Sequence, residues 1–347
     1  MPQLATTTSN QFWGFIQLLS KRGVEVTPYV EDAKLAKTAV TQPYYKLPTL
    51  WVYQCIANMA ESLQIAHLGW QVGWFVGHQG LQQISERALQ ESTLDKVLKM
   101  VCQLTHHGAS HADFFIKETD QYYEFCHVGG VDLDTAGYAY VEQYISAVML
   151  SIIRAVLGAI PFSCDYLKLR TQLKVSIDSL NQNTVDEKLS IGAVFYGQTY
   201  TSVSIPKALW DTQNCYQAKR TLSALTGESA SPNWQRPILR RISQNNRYIE
   251  NLLEVLIPYL GNAVPELSDI AQLSQISSRS LQRYLAKHNT SYNRLILNLR
   301  MEFARYYVQH EQRSVNEISK LLGYSTANHL SRAYKKYYNI SMSREEL

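Results

Sequence analysis

Between Leu267 and Ile340 the chain repeats itself, and few sequence features restrict a fold more tightly. The stretches LSDIAQLSQISSRSLQRYLAKH and VNEISKLLGYSTANHLSRAYKKY flank a helical run, SYNRLILNLRMEFARYYVQ. Ile270/Ile318, Ala271/Ser319 and Ile276/Tyr324 lie 48 residues apart, whereas Leu281/Leu330, Arg283/Arg332 and Lys287/Lys336 lie 49 apart. The second copy therefore carries one extra residue at its turn. A register kept on both sides of a one-residue slip marks a duplicated structural unit. Each copy reads as a short amphipathic helix, a turn, and a second helix opened by a polar cap.

In the first copy Leu267, Ile270, Ala271 and Leu273 form the apolar face of the supporting helix, Ser277 caps the second helix, and Leu281 and Leu285 point inward. This leaves Ser278, Arg279, Gln282 and Arg283 outward near a helix N-terminus, where a recognition helix presents side chains to a major groove. In the second copy Thr326, Ala327, Asn328, Ser331 and Arg332 take that face, with Leu330 and Tyr334 inward and Lys335 and Lys336 following. Arg matches guanine O6/N7 and Gln matches adenine N6/N7, while lysines near the helix end suit phosphates. The connecting helix, Ser291 to Gln309, has 19 residues. It should span about 28 Å, against about 34 Å between successive major grooves on one face of duplex DNA. One chain could thus address two adjacent grooves. Arg294, Arg300 and Arg305 lie along this rod, with Arg300 equally suited to a structural bond or a phosphate.

Charge places the same emphasis on the tail. Residues 261–347 hold 12 Lys/Arg against 7 Asp/Glu, leaving 21 against 22 in the first 260. A near-neutral body with a basic C-terminal module is the electrostatic footprint of a nucleic-acid-binding domain attached to something else. With 347 residues, 46% hydrophobic and 18% charged, the chain suits two or three globular domains. The start lacks a basic region followed by an apolar run and a cleavage site, and apolar runs elsewhere fall short of roughly 18 residues, so a cytoplasmic protein without membrane contact is expected. The five cysteines, Cys55, Cys102, Cys126, Cys164 and Cys215, contain no C-x-x-C pair, which argues against a disulfide framework or structural zinc.

The body reads as α+β, because strands are scattered among helices without strict alternation. Helices are expected over Gln11–Lys21, after Leu47 through Leu63, after a Ser92 cap up to Gly108, over Ala136–Leu157 and around Asp211–Leu225. ADFFIKET and QYYEFCHV, split by Asp120, read as a hairpin; YLKLR, LKVSI, LSIGAVFYG and TSVSIP read as further strands. IAHLGWQVGWFVGHQGLQQI, with Gly69, Gly73, Gly77 and Gly80, suits a closely packed core segment and fits no phosphate-loop pattern. GESASPNWQRP reads as a linker, and Ile238–Leu260 as one amphipathic helix bridging body and tail. The expected organisation is an α+β effector and dimerisation domain over 1–228, a linker and bridging helix over 229–260, and an all-α tandem helix-turn-helix domain over 261–347.

For other chemistry, Cys102, His106, His107 and His111 come close in sequence, yet no second ligand pair completes a tetrahedron, so no metal is expected. Tyrosine clusters in QPYYKL, DQYYEF and AGYAYVEQYI suit either core or the wall of a small-molecule pocket. No activated cysteine appears: Cys126 and His127 should point to opposite faces of a strand, and Pro161-Phe162-Ser163 before Cys164 supplies no base. No catalytic residues, no cofactor and no enzymatic activity are expected.

These residues carry a family resemblance. ISSRSLQRYL, the R-x-x-x-A of Arg300 and Ala304, the EIS-x-LLGYS of Glu317 to Ser325, and HLSRAYKKYY resemble the DNA-binding domain of AraC/XylS transcription regulators over about 80 residues. LPTLWVYQCIANMAES, LGWQVGWFVGHQGL, STLDKVLKMVCQL and LSIGAVFYGQTYTSVSIPKALW resemble the N-terminal domain of the ornithine-utilisation and arabinose-binding-like branch. The resemblance implies a transcriptional regulator, of the activator kind, that binds double-stranded DNA through the outward positions of both second helices. It further implies RNA polymerase as a partner, a small-molecule effector on the N-terminal domain, and a homodimer. Two alternatives stay open: an N-terminal domain that only dimerises, and an enzyme fused to such a tail. The sequence departs from the pattern at Gln275, where a turn glycine is usual, at Ser319 in place of a close-packing Ala, and at Asn339-Ile340-Ser341-Met342, where Gly-x-Ser-Pro closes the domain.

Overall fold

The structure, a computed structural model, describes residues 2–42, 44–78, 88–105, 112–158, 168–171, 193–195, 197–216 and 233–342. The chain divides into two compact units that do not follow chain order. One comprises Thr7–Ala33 and Thr49–Ser229; the other comprises Met1–Thr6, Lys34–Pro48 and Ala230–Leu347.

The first unit is α+β. Its helices are α1 (Ser9–Lys21), α2 (Thr27–Asp32), α3 (Thr49–Ser62), α4 (Leu68–His78), α5 (Leu94–Thr105), α6 (Tyr138–Leu157) and α7 (Lys207–Trp210). Its strands are β1 (Ala112–Glu118), β2 (Tyr122–Gly129), β3 (Lys168–Arg170), β4 (Ala193–Phe195) and β5 (Thr201–Pro206), in the spatial order β1-β2-β5-β3-β4. The hairpin expected around Asp120 is β1–β2, in the register Ile116↔Phe125. Strand alternation puts Phe125, Val203 and Ile205 on one face, where they join α5 and α6 in a core with Leu94, Leu98, Met149 and Ile153.

Over Leu68–His78 the glycine-rich segment is a helix, α4, and Gly69, Gly73 and Gly77 share one stripe laid against α6, Gly80 lying outside the described residues. A Cβ on Gly69 would stand 1.8 Å from the Tyr140 carbonyl oxygen, one on Gly73 2.4 Å from Ala147 Cβ, and one on Gly77 2.4 Å from Ser151 Oγ. The two backbones approach too closely for any side chain, which is what the expected packed segment requires. By length and composition alone the 20-residue α6 could cross a membrane, although Glu142, Gln143 and Arg154 interrupt its apolar run. It is a buried core helix of this unit and carries Glu142 and Gln143 inside. Thr201 Oγ1 and Tyr138 Oη, the latter at 3.3 Å, donate to the two Glu142 oxygens, while burial pushes its pKa up to about 7.

Two helix expectations need correction here. Helix α5 begins at Leu94 rather than behind a Ser92 cap, with the Thr93 hydroxyl bonded to Asp95. The helix expected around Asp211–Leu225 is absent from its described part: α7 ends at Trp210 and Asp211–Tyr216 runs without helix, held by Cys215 N–H to the Val156 carbonyl at 2.8 Å. Residues 217–225, the strand LKVSI, and the segment His106–His111 lie outside the described residues.

The second unit holds α8 (Gln235–Ser243), α9 (Arg247–Leu256), α10 (Leu267–Leu273), α11 (Ser278–Lys287), α12 (Tyr292–His310), α13 (Val315–Leu321) and α14 (Ala327–Tyr338). The single bridging helix expected over Ile238–Leu260 is broken into α8 and α9, because Gln244 and Asn245 take φ of 52° and 60° and Asn246 starts a new helix with its own side chain. The end of the expected linker is likewise structured. Trp234 stacks on Tyr306 at 3.8 Å and 7°, and meets Phe303 edge-on at 4.8 Å.

The early segment Lys34–Pro48 is part of this unit and straps across it. Lys34 Nζ pairs with Asp269 at 2.7 Å, Tyr259 Oη donates to the Lys34 carbonyl at 3.0 Å, and Thr38 Oγ1 donates to the Pro258 carbonyl at 3.2 Å. Tyr44 and Tyr45 of QPYYKL pack ring against ring at 4.9 Å and 55°, and both belong to this strap and not to the α+β core.

Candidate nucleic-acid interface

The two helix-turn-helix copies are built from the same local parts. In the first, Glu266 and Asp269 form a reciprocal capping box that starts α10, and the Tyr292 hydroxyl donates to the Pro265 carbonyl at 2.6 Å. In the second, Ser314 and Glu317 do the same for α13, with Ser314 N–H to Glu317 Oε2 at 2.9 Å. Both supporting helices then close alike: Ile276 N–H bonds the Ala271 carbonyl at 3.0 Å and Tyr324 N–H bonds the Ser319 carbonyl at 2.8 Å. After Ile276 comes the cap Ser277; after Tyr324 comes Ser325 and only then the cap Thr326. The slipped residue is therefore Ser325.

The turns test the noted departures. Gln275 has φ +54° and Gly323, its counterpart, +71°, so the first turn holds a side chain in left-handed backbone. Gly323 has no such freedom: a Cβ there would lie 2.3 Å from the Leu260 carbonyl oxygen and 3.2 Å from Arg300 Nη2. Ser319 fits the buried position by turning its hydroxyl onto the Asn316 carbonyl at 2.8 Å. Asn339 supplies the left-handed residue that ends α14, at φ +60°, and Met342 is buried where the closing element packs.

On α11 the cap Ser277 accepts from Ser280 N–H at 3.1 Å, while Leu281 and Leu285 are buried. Arg279, Gln282 and Arg283 are exposed together on the first two turns, and Ser278 is half-buried at the first. On α14 Thr326 is the cap and its hydroxyl accepts from His329 N–H at 3.2 Å. Asn328 and Arg332 are exposed, Ala327 and Ser331 half-buried, and Lys335 and Lys336 exposed in the last turn. Leu330 and Tyr334 are buried, and Arg332 Nε donates to the Asn328 carbonyl at 3.4 Å. One exposed residue escaped the sequence reading. His329 occupies the place of Ser280, and its Nδ1 lies 2.7 Å from Ser325 Oγ. The 49-residue offset applied to Ser280 finds it.

The rod is α12, 19 residues long and capped by Ser291, whose Oγ accepts from Arg294 N–H at 3.3 Å. Arg294 is exposed, whereas Arg300 lies over the Tyr324 ring at 5.5 Å and Arg305 over the Tyr338 ring at 5.0 Å. For Arg300 the structure thus favours the structural alternative: its guanidinium braces the second turn.

The remaining sequence candidates lie in the α+β unit. Cys126 and His127 occupy adjacent strand positions on opposite faces, and burial pushes the Cys126 thiol up to about 12 and that of Cys102 to about 11. Cys164, His106, His107 and His111 fall outside the described residues. Among the described residues no three His, Cys, Asp or Glu side chains form a metal-holding group.

This architecture of paired helix-turn-helix motifs on a common rod defines a DNA-binding domain, and residues 270–345 match the model of a helix-turn-helix domain family. The chain is a transcriptional regulator whose C-terminal domain belongs to the AraC type. Over 252 residues it is 21% identical to an uncharacterised HTH-type transcriptional regulator of Mycobacterium bovis, covering 72% of this chain and 70% of that one. It is 23% identical over 198 residues to the virulence regulon transcriptional activator VirF of Shigella flexneri, covering 56% of this chain and 67% of VirF. Among solved structures it is similar to an AraC-type DNA-binding domain-containing regulator of Chromobacterium violaceum, at 22% identity and a TM-score of 0.26, covering 33% of this chain and 94% of that one.

Proposed function

We propose that this chain binds a specific duplex sequence by placing α11 and α14 in two adjacent major grooves, and that a small molecule on the α+β unit controls it. The observation that carries the DNA half is the matched placement of two recognition faces: exposed Arg279, Gln282 and Arg283 with half-buried Ser278 on α11, and exposed Asn328 and Arg332 with half-buried Ala327 and Ser331 on α14 behind its cap Thr326. Arg279, Gln282 and Arg283 have the reach and donor geometry to read purine edges, and Asn328 and Arg332 do so in the second copy. Ala327 can meet a thymine methyl, Thr326 mainly orders its helix, and Lys335 and Lys336 suit phosphates.

Control by a small molecule rests on the α+β unit having its own core and buried polar groups such as Glu142, apart from the DNA-binding unit. A homodimer of such units, contact with RNA polymerase as an activator, and a cytoplasmic setting complete the proposal. The direct experiment selects ligands of the full-length chain from a random duplex library. The expected product is a bipartite sequence whose two blocks lie about 10 base pairs apart, one turn of the duplex; enrichment of a single block, or of none, overturns two-groove reading. For the effector, a thermal-shift screen of small metabolites and fatty acids on the full chain should find a stabilising compound. A dimer that none of them stabilises favours the dimerisation-only alternative.

A further inference from the structure

The turn between α8 and α9 is fastened to the flank of the first recognition helix. Asn246 carries most of the attachment. Its Oδ1 accepts from Ile249 N–H at 3.0 Å, capping α9, while its Nδ2 donates to Tyr284 Oη at 3.0 Å and lies 3.2 Å from His288 Nε2. Tyr284 lies on α11 and His288, four residues on, is its C-cap, and Tyr248 of α9 meets the Tyr284 ring edge-on at 5.3 Å. Behind the corner, α8 is held by the ion pair of Arg241 with Glu302 and by the Trp234–Tyr306 stack at 3.8 Å. The corner is thus built into the domain and fixed in register with α11.

What it presents to solvent is positive. Arg240, in the last turn of α8, and Arg247, the first residue of α9, are both exposed. Neither has an ion-pair partner among the described residues. On α11 itself Arg283 and Lys287 are exposed. A helix seated in a major groove is bordered on each side by a phosphate strand, and side chains on elements beside that helix are the ones that reach it.

We propose that the α8–α9 corner is a second DNA-contacting surface, on which Arg240 and Arg247 hold phosphodiesters of the strand bordering the groove that α11 enters. This rests on the DNA-binding reading above and extends it to an element outside the repeat. A guanidinium offers two parallel N–H donors to a phosphate, a charge-assisted contact with no base information. Its contribution is therefore to affinity and register, equally on any sequence. Glu250, one turn further along α9, sets the limit of the surface, since a carboxylate there repels the next phosphate.

The test measures full-length protein on a selected duplex and on a random duplex across a salt series, for wild type, Arg240→Gln/Arg247→Gln and Arg240→Lys/Arg247→Lys. Removing two phosphate contacts should lower the magnitude of the slope of log affinity against log salt by about 1.8. Both duplexes should lose affinity by the same factor, about tenfold or more at low salt, and the lysine pair should restore most of the slope. A glutamine pair that keeps wild-type slope and affinity, while Arg279→Ala still loses specific binding, overturns the corner and leaves the DNA reading intact. A wild-type chain that binds neither duplex overturns the DNA reading itself. Should the glutamine pair shift the melting temperature, Arg240→Gln and Arg247→Gln alone carry the test, each expected to lower the slope by about 0.9.

Discussion

Gln275 and Gly323 show how much one backbone angle decides. Both sit at the tight turn of a helix-turn-helix, both at positive φ, yet one position keeps a side chain and the other has no room for it. Gln275→Gly should therefore stabilise the DNA-binding unit, by up to about 1 kcal/mol in chemical denaturation, because it relieves left-handed strain. Gly323→Ala should destabilise by more than that, since its Cβ would run into the Leu260 carbonyl. The missing turn glycine was legible in the sequence at Gln275; the carbonyl that makes Gly323 irreplaceable was not, because Leu260 is distant in sequence from that turn. Similarly, the cap Ser277 and the inward Leu281 and Leu285 follow from spacing alone. His329 did not, although the slip that locates it was visible: its meaning required knowing that Ser325 is the inserted residue.

Elements were read well where the pattern was periodic and self-contained. The tandem repeat, α1, α6 and the β1–β2 hairpin all follow from local spacing and turn residues. The strap Lys34–Pro48 did not, since its partners Asp269, Tyr259 and Pro258 lie more than 200 residues away and nothing local to QPYYKL marks it as belonging to the DNA-binding unit. A fragment covering only residues 230–347 lacks these contacts. It should melt lower and exchange amide hydrogens in α9 and α10 faster than the intact chain does, which hydrogen exchange can measure; equal protection would show that the strap contributes no stability. The α4 stripe makes a similar prediction in the other unit. Gly73→Leu should unfold or severely destabilise the α+β unit, because the space is already occupied by Ala147 at 2.4 Å from any added Cβ.

At the scale of the whole molecule, the two units should respond to different variables. In the α+β unit Glu142 has an ordinary value of 4.5 raised to about 7 by burial. Within that window the folded chain keeps a proton that the unfolded chain has released, so this group's stabilisation is full at low pH and is lost as pH rises to about 7. Denaturation midpoints of the α+β unit should fall across the window, and Glu142→Gln should flatten that dependence. The DNA-binding unit should instead respond to salt and to the identity of its ligand. The central claim is that each recognition helix carries an arginine that reads bases, Arg279 on α11 and Arg332 on α14, which a single comparison addresses. Affinities of the wild-type chain, Arg279→Ala and Arg332→Ala are measured at one ionic strength on the selected sequence and on a random duplex. Each substitution is predicted to weaken binding to the selected sequence by about 1 to 3 kcal/mol, and to weaken random binding far less. Equal losses on both duplexes would contradict the account, for they would make these arginines phosphate contacts and leave the reading of sequence to other residues.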